Sequence, residues 1–389
     1  MKRAVVIIMT TILAVLFPLN AIAMDISSDN IMVRVMVMDD KDSVCIAIKS
    51  CYKVMAKDTD RVVMDGPRLS AKVLATKDGI MIGIRELKMR SIEIVSDGKT
   101  KISVGGRIFR GSIEIIRKEN GKLMLINRIA LDDYLYGVLY HEVSHRWPME
   151  VLKAQAIVAR TFALFQARQN KNKPYDLRSD VYSQVYGGST SERWSTTMAV
   201  NVTKGKVLVY DGDILPAYYH ATCAGSTESA SNLWKTDIGP LKGGILCDYC
   251  RISPHYKWMK EIPLWKVEEN LCKGQYNIGK IASVSVLSRN SSGRVDKLEI
   301  KDDSGVSVIL TGKDFRQLLG PNEIRSTKFD PSIKCGSLIL EGYGWGHGVG
   351  MCQWGAFGMA SQGKKAAEIL QFYYPGTEIA TIDQIRGRF

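Results

Sequence analysis

The spacing of apolar residues along the chain changes near residue 130. Before that point, short runs rich in β-branched residues alternate with turn segments that carry Gly, Asp and Lys, such as DGP, KDG and SDGK. Runs of this length between turn signals are typical of β-strands. The segment from Asp25 to about Asn120 is therefore predicted to be all-β. The predicted strands are Ile31–Val37, Val44–Ile48, Arg61–Met64, Ala71–Ala75, Gly79–Ile84, Ser91–Val95, Lys101–Val104 and Arg110–Arg117.

The stretch Leu131–Gln169 has helical spacing instead, and we predict two helices that meet at Trp147-Pro148. A proline in the first turn of the second helix lacks only an N–H that has no helical partner there. The second helix is apolar on nearly all sides, which indicates a buried helix. Arg160 lies in its middle, and a buried guanidinium needs an anionic or hydrogen-bonding partner. This cationic buried helix and the nearby Glu142 are the first indication of a site.

The rest of the chain mixes strands and helices. We predict a strand at Gly121–Ile129, a hairpin after Ile281, and a strand at Ser337–Leu340 that leads through a Gly-rich loop into a final helix. The pattern predicts an α+β fold: an N-terminal all-β region, then a mixed domain with a buried helix pair, a β-rich insertion and a C-terminal helix. The predicted domains are residues 24–120 and 121–389, with the insertion at about 256–340.

Residues 1–23 have the features of an export signal. Lys2 and Arg3 precede an apolar run that reaches about Phe17, and small residues at Ala21 and Ala23 suit cleavage. The apolar run is short for a membrane span, although an uncleaved anchor stays an alternative. We therefore expect an exported chain in the periplasm or cell-wall space, with membrane contact only through an uncleaved signal.

The composition favours an anionic partner. The full chain has a net charge of +13, and without residues 1–23 it keeps 51 basic and 40 acidic residues, a charge of +11. Basic exported proteins favour polyanionic surfaces. In that compartment we expect cell-wall polymers or anionic lipid and no nucleic acid. A charge that serves only solubility is an equal alternative, because no long Lys/Arg run exists.

His141-Glu142-Val143-Ser144-His145 matches the H-E-x-x-H pattern of zinc metalloproteases. That chemistry needs both histidines on one helical face. Pro148 disfavours helical geometry in the residue before it, so we predict that the helix ends near His145. No third ligand follows at the usual spacing. The metalloprotease is therefore the weaker interpretation, and Glu142 is the residue of interest.

Gly342–Gly350 places a glycine at every second position between a strand and a helix. This spacing differs from the G-x-G-x-x-G nucleotide fingerprint, and no second half of a dinucleotide fold follows it. Alternating glycines let the backbone approach a ligand or another strand closely. His347 is either a residue that faces a site or the solvated residue of a plain turn.

Cysteines are frequent in this chain. Cys247-Asp248-Tyr249-Cys250 forms a C-x-x-C motif, and together with Cys223 and Cys352 it supplies four thiols that fit a tetrahedral zinc site. Two disulfides formed after export are the alternative. A thioredoxin-like role is disfavoured, because no βαβ pattern surrounds the motif. The complete set is Cys45, Cys51, Cys223, Cys247, Cys250, Cys272, Cys335 and Cys352.

Several of these segments, taken in order, resemble the SpoIID/LytB family, which is named for stage II sporulation protein D and a modifier of cell-wall amidases. The KAQAxxAR and GHGVGM-QWGA stretches carry the most specific part of the resemblance. The matching segments are Arg107–Ile115, Leu131–Leu164, Ser183–Gly188, Tyr218–Trp234, Ser292–Val295, Phe315–Phe329, Gly344–Ala360 and Ile369–Thr377.

The resemblance implies a lytic transglycosylase that cleaves peptidoglycan glycan strands between MurNAc and GlcNAc and leaves 1,6-anhydro ends. The catalytic Glu of the family corresponds to Glu142, which would act first as acid and then as base. No cofactor is expected for catalysis. Some members bind zinc through cysteines before the Q-V-Y motif, but Tyr175–Gln184 has no Cys here. A structural zinc would instead use Cys223, Cys247, Cys250 and Cys352.

An acid that works near neutral pH needs a raised pKa, which burial of Glu142 against Trp147 or Tyr140 would provide. Arg160 would oppose that rise, so we expect it to bind a second carboxylate or the lactyl carboxylate of muramic acid. The other residues expected to bind substrate are Gln184, Tyr186, His220, His347 and Gln353.

A non-catalytic wall-binding module that stimulates a cell-wall amidase is the alternative function. It would use the same cleft, and a cell-wall amidase would then be the partner protein. The presence of Glu142 favours the enzyme.

Overall fold

The computed structural model describes residues 31–180, 183–234 and 236–385. The predicted export signal lies outside the described residues. Within the described part of the chain, no helix is long and apolar enough to cross a membrane. Strands and helices both contribute heavily, and the N-terminal part is built from strands, so the predicted α+β class is confirmed.

Strands fill the chain up to residue 130, as the alternating pattern predicted. In Ser112–Arg117, Ile113 and Ile115 are fully buried, while Glu114 between them is only partly buried. The strands are β1 (Met32–Lys41), β2 (Ser43–Ile48), β3 (Tyr52–Ala56), β4 (Val62–Gly66), β5 (Leu69–Ala75), β6 (Ile80–Ile82), β7 (Arg85–Leu87), β8 (Ser91–Ser96), β9 (Ile102–Val104), β10 (Arg107–Phe109), β11 (Ser112–Arg117) and β12 (Leu123–Ala130).

These strands form two sheets that share one apolar core. One sheet has the order β1-β12-β11-β8-β3-β4, and the other has the order β10-β9-β2-β5-β6-β7. The predicted strand Arg110–Arg117 corresponds to β11, which begins at Ser112, and the sequence did not predict the preceding strand β10, which ends at Phe109. Gly111 has φ +70°, and a Cβ there would lie 2.1 Å from the Arg128 carbonyl oxygen, so the chain turns where only glycine fits. The domain boundary at residue 120 stays a prediction, and the first sheet continues past it through β12.

Two helices follow, α1 (Leu131–Glu142) and α2 (Met149–Gln169), with Pro148 as the N-cap of α2. One face of α2 packs on the core of the two sheets. Its other face packs on a second core built from the C-terminal part of the chain. A helix between two cores must be apolar on nearly all sides, which explains its sequence.

After α2 the chain adds short elements, some of which pack on the first core and others on the second. Strand β13 joins the first sheet beside β1, in parallel. The elements are β13 (Leu177–Arg178), α3 (Trp194–Val202), β14 (Lys206–Tyr210), β15 (Asp213–Ile214), β16 (Tyr219–His220), β17 (Gly225–Ser226), α4 (Ser231–Trp234) and β18 (Leu246–Cys247).

The predicted β-rich insertion has its own apolar core. Its strands form two three-stranded sheets, β19-β24-β23 and β20-β21-β22. The elements are β19 (Lys257–Pro263), α5 (Leu264–Lys273), β20 (Ile281–Arg289), β21 (Val295–Asp302), β22 (Ser307–Thr311), α6 (Gly312–Leu319), β23 (Phe329–Lys334) and β24 (Ser337–Tyr343).

The C-terminal segment returns to the centre of the molecule. Its first strand pairs in parallel with β16, and its last strand pairs with β14. These contacts place the Gly-rich loop beside the end of α1. The elements are β25 (Met351–Cys352), α7 (Gln353–Ser361), α8 (Ala366–Tyr373), β26 (Glu378–Thr381) and α9 (Ile382–Ile385).

Candidate active-site cleft

A cleft of about 980 Å³ opens between the end of α1, the Gly-rich loop and helix α6. Glu142 is the only carboxylate among the described residues that line it. A concave lining that combines aromatic side chains with convergent polar groups is typical of a ligand site. The aromatic residues of the lining are Tyr140, Trp147, Phe162, Tyr218, Tyr219, Trp234, Trp345 and Trp354.

Glu142 is the last residue of α1. The next residue, Val143, has extended geometry, with φ −139° and ψ 152°. The Glu142 Oε1 atom accepts a hydrogen bond from the Val185 N–H at 3.3 Å, and the Tyr219 hydroxyl bonds to the same carboxyl group. The end of the helix thus places the carboxyl group in the cleft.

Burial raises the pKa of Glu142 to about 7. The hydrogen bonds from Val185 and Tyr219 act in the opposite direction, because they stabilise the ionised form. The C-terminal end of α1 also disfavours a negative charge at this position. A carboxyl group in this environment is half-protonated near neutral pH, the state that a general acid needs. The direction of the shift agrees with the expectation from sequence.

His220, His347 and Gln353 all line the cleft. The rings of His220 and His347 are 5.7 Å apart, centre to centre. His220 Nδ1 is 3.1 Å from the Val349 carbonyl oxygen, and His220 Nε2 has no hydrogen-bond partner among the described residues. Burial lowers the pKa of His220 to about 3, so the ring is neutral. An Nδ1–H bonded to a carbonyl leaves Nε2 as a free acceptor.

The Gly-rich loop lies close to neighbouring backbone and side chains. Gly346 has φ +104°, and a Cβ there would lie 2.8 Å from the His220 Cβ. Gly348 has φ +90°, and a Cβ there would lie 2.5 Å from the Arg294 guanidinium. The alternating glycines therefore serve close approach, and they bring His347 beside His220 in the cleft.

Arg160 does not lie in the cleft, so its predicted role in substrate binding is wrong. Its side chain is fully buried and pairs with Asp132 at 2.8 Å. The guanidinium also donates to the carbonyl oxygens of Val200 and Lys206, both at 3.2 Å. Its partner is a second carboxylate, one of the two partners that the sequence suggested.

Gln184 and Tyr186 also lie behind the cleft surface, and their predicted contact with substrate is wrong. Gln184 is fully buried and donates to the Tyr219 hydroxyl at 3.2 Å, so it orients the residue that bonds to Glu142. Tyr186 is 2% exposed and donates to Asn127 at 2.9 Å. The polar groups of both side chains already have hydrogen-bond partners inside the protein.

The H-E-x-x-H histidines do not share a helical face. Helix α1 ends at Glu142, three residues before His145, which confirms the expectation that Pro148 shortens the helix. His141 Nε2 is 2.7 Å from the Ser191 hydroxyl. Among the described residues, neither histidine belongs to a cluster with metal-binding geometry.

The four cysteines that the sequence grouped together do meet. Cys223, Cys247, Cys250 and Cys352 are buried, and their Sγ atoms lie within 4.8 Å of one another. The other four cysteines are exposed and lie elsewhere. All eight are unbridged.

Sequence reasoning missed three important features of the cleft. Tyr219 bonds to Glu142, and Tyr218 stacks on Trp234 with ring centres 4.3 Å apart. Arg316 of α6 lines the cleft and donates to backbone carbonyls, with no carboxylate partner among the described residues. Burial lowers the pKa of Arg316 to about 10, and the group stays charged at neutral pH. All of these residues lie in the segments Tyr218–Trp234 and Phe315–Phe329, which carry the family resemblance, and that resemblance was the signal that could have identified them.

Comparison with known proteins gives two family matches. A model described as SpoIID, stage II sporulation protein, matches residues 119–210. A model described as a domain of unknown function (DUF8618) matches residues 250–350, which correspond closely to the insertion.

Individual relatives extend the similarity over most of the chain. An uncharacterized protein of Brachyspira hyodysenteriae is 32% identical over 92% of this chain and 95% of its own length. Stage II sporulation protein D of Bacillus subtilis is 29% identical over 72% of this chain and 81% of its own. The amidase enhancer of Bacillus subtilis is 27% identical over 64% of this chain and 40% of its own.

Proposed function

The chain belongs to the SpoIID family, and on that premise we propose that it is an exported lytic transglycosylase of peptidoglycan glycan strands. Relatives named for sporulation and for amidase enhancement support a cell-wall-related role. The observation that carries the finer proposal is Glu142, a single carboxyl group in an aromatic cleft whose pKa burial raises to about 7.

A single carboxyl group favours a lyase over a hydrolase. Glycoside hydrolases generally use two carboxylates, one as acid and the other as base or nucleophile. Only Glu142 supplies a carboxylate within the described lining of this cleft. In the proposed reaction, protonated Glu142 gives its proton to the glycosidic oxygen as the bond to C1 of MurNAc breaks. The Glu142 carboxylate then takes the proton of the muramic 6-hydroxyl as that oxygen bonds to C1, which restores the acid.

The surrounding residues suit a sugar polymer with a carboxylate. The stacked pair Tyr218–Trp234 offers an aromatic surface to sugar rings, and the neutral ring of His220 lines the same cleft. Arg316 offers a positive charge without a carboxylate partner in the described structure. The lactyl group of muramic acid supplies a matching anion, so Arg316 takes the role that the sequence gave to Arg160.

Digestion of purified glycan strands tests the proposal. Wild-type protein should release fragments that end in 1,6-anhydro-MurNAc, detected by mass spectrometry. Glu142→Gln should reduce the rate by about 10²–10⁴-fold, the usual contribution of a general acid. Fragments with ordinary reducing ends would indicate a hydrolase, and the absence of cleavage by folded wild type would reject the enzyme.

The alternative is a wall-binding module that stimulates an amidase. Similarity to a protein named amidase enhancer favours it. In that case Glu142→Gln would bind glycan strands and stimulate a purified cell-wall amidase as well as wild type does. The two functions therefore predict different results for Glu142→Gln. Binding and cleavage are both measured on the same glycan strands.

A further inference from the structure

Four buried cysteines from three segments of the chain meet beside the cleft. Cys223 follows β16, Cys247 and Cys250 bracket a single turn, and Cys352 is the N-cap of α7. We propose that these four thiolates hold a structural Zn²⁺ ion that joins the three segments. The proposal is independent of the catalytic one, because it concerns metal content and thiol state.

The sulfur geometry fits one ion. All four Sγ atoms lie within 4.8 Å of one another, and those of Cys223 and Cys250 are 3.5 Å apart. Tetrahedral zinc with Zn–S bonds of about 2.3 Å brings its sulfurs to about 3.8 Å from each other. Two disulfides would need two close pairs and would give no reason for all four sulfurs to meet at one point.

Hydrogen-bond donors point at the sulfurs. The N–H groups of Cys223 and Gly355 each lie 3.3 Å from the Cys352 Sγ, and the Tyr373 hydroxyl lies 3.1 Å from the Cys247 Sγ. A Cβ at Gly355 would lie 1.9 Å from that hydroxyl oxygen and 2.7 Å from the Cys247 Sγ, so only glycine fits there. Donors around the sulfurs are typical of the groups that support metal-bound thiolates.

The local charges also favour a bound cation. Four thiolates buried at one point would carry four negative charges away from water, so they need a positive partner. Zn²⁺ with four thiolates keeps a charge of −2. Arg294, 1% exposed, donates to the Cys223 carbonyl oxygen at 2.9 Å, and Lys328 donates to the Ala224 carbonyl oxygen at 2.9 Å. Two cations thus donate hydrogen bonds to the segment that carries Cys223.

The ion would stabilise the cleft wall without entering the chemistry. Four cysteines leave no open coordination position, which is the pattern of a structural site. His220 pairs with Cys352 between β16 and β25, and Thr222 pairs with Trp345 of the Gly-rich loop. The proposed ion therefore holds the segments that carry His220 and Trp345 in register.

Metal analysis of the full exported chain, purified without chelator, tests the proposal. We expect about one zinc per chain in wild type and less than a tenth of that in Cys352→Ser. Cys272→Ser is the matched control, because Cys272 is exposed and distant from the cluster, and it should keep its zinc. Replacement of zinc by Co²⁺ should give the absorption bands of tetrahedral cobalt with thiolate ligands.

A second measurement on wild type keeps the test independent of folding in the variants. Alkylation of free thiols under denaturing, non-reducing conditions, followed by peptide mapping, should show that the four cysteines of the cluster are reduced. Two disulfides among these four cysteines, without metal, would overturn the proposal. Reduced thiols without any metal would overturn it as well. Iron in place of zinc would refute the assigned metal, since four thiolates also suit iron.

Discussion

Two arginines near the cleft, Arg160 of α2 and Arg316 of α6, differ in how their charge is balanced. Behind the cleft, Arg160 is fully buried and pairs with Asp132 of α1, and it is not among the groups that shift the pKa of Glu142. On the α6 side, Arg316 faces the cleft with only backbone carbonyls as described partners. A buried arginine on one side therefore stabilises the fold, while a half-buried arginine on the other is available to an anion. The difference lies in the partner, which burial alone does not reveal.

Replacement of Arg160 should give the largest stability effect. Arg160→Met removes one member of a buried ion pair and leaves the carbonyls of Val200 and Lys206 without their donor. We expect a loss of about 3–5 kcal/mol in the free energy of unfolding, measured with urea. Arg168→Met on the same helix is the control, because Arg168 and its partner Asp213 are exposed and such pairs contribute at most about 1 kcal/mol. Equal stability of the two variants, with weaker glycan binding by Arg160→Met, would restore Arg160 as a substrate residue.

Replacement of Glu142 should stabilise the protein at neutral pH. The folded pKa of Glu142 is raised to about 7, so folding favours the protonated form. The protonated carboxyl group contributes its full stabilisation of the fold below the pKa of the unfolded chain, and this contribution is lost as the pH rises through about 7. Glutamine does not titrate. Because folding raises the pKa of Glu142 from 4.5 to about 7, the stability of Glu142→Gln relative to wild type should increase by about 3 kcal/mol between pH 4 and pH 8.

The control for that measurement is Glu150→Gln. The pKa of Glu150 is lowered, because its hydrogen bonds from Lys153 and the Ala366 N–H outweigh the opposing effect of burial. Its stabilisation is present above the unfolded pKa, so this variant should lose stability at pH 8. Thermal melts of both variants across the pH range check the opposite signs. A Glu142→Gln difference that is flat with pH would contradict the raised pKa.

Replacement of Arg316 should weaken substrate binding. Arg316→Gln removes the charge proposed to bind the lactyl carboxylate, and we expect KM for peptide-stripped strands to rise about tenfold with kcat within about twofold. Arg289→Gln is the control, because Arg289 also belongs to the insertion but pairs with Asp330 outside the cleft lining. An unchanged KM, with a normal melting temperature, would exclude Arg316 as the anchor.

The sequence predicted those features that depend on neighbouring residues. The alternating pattern predicted most strands of the first 130 residues, and Pro148 predicted the early end of α1. The three-residue strands Arg85–Leu87 and Arg107–Phe109 were missed, because so short a run has little periodicity of its own. These strands exist only because neighbouring strands pair with them.

Features that depend on distant residues were predicted less well. Helical periodicity shows that Arg160 is buried, but its partner Asp132 lies on the preceding helix, and nothing in the spacing links the two. Tyr219 is likewise far from Glu142 in the sequence, 77 residues after it. The cysteine cluster was the exception, since cysteine is chemically distinctive and a set of four suggests a common ligand.

Replacement of Tyr219 should give the smallest effect, and it tests whether Tyr219 changes the pKa of Glu142. Its hydroxyl bonds to Glu142 and lowers the pKa of that carboxyl group, so its removal should raise that pKa further. Because a hydrogen bond contributes about 1 kcal/mol, the alkaline limb of the pH profile of kcat/KM should move up by about 0.5–1 unit in Tyr219→Phe. Tyr218→Phe, altered at the neighbouring residue that stacks on Trp234, should leave the limb in place. A downward shift in Tyr219→Phe would mean that the hydroxyl stabilises protonated Glu142 instead, and the hydroxyl would then act together with burial and the end of α1 to raise the pKa.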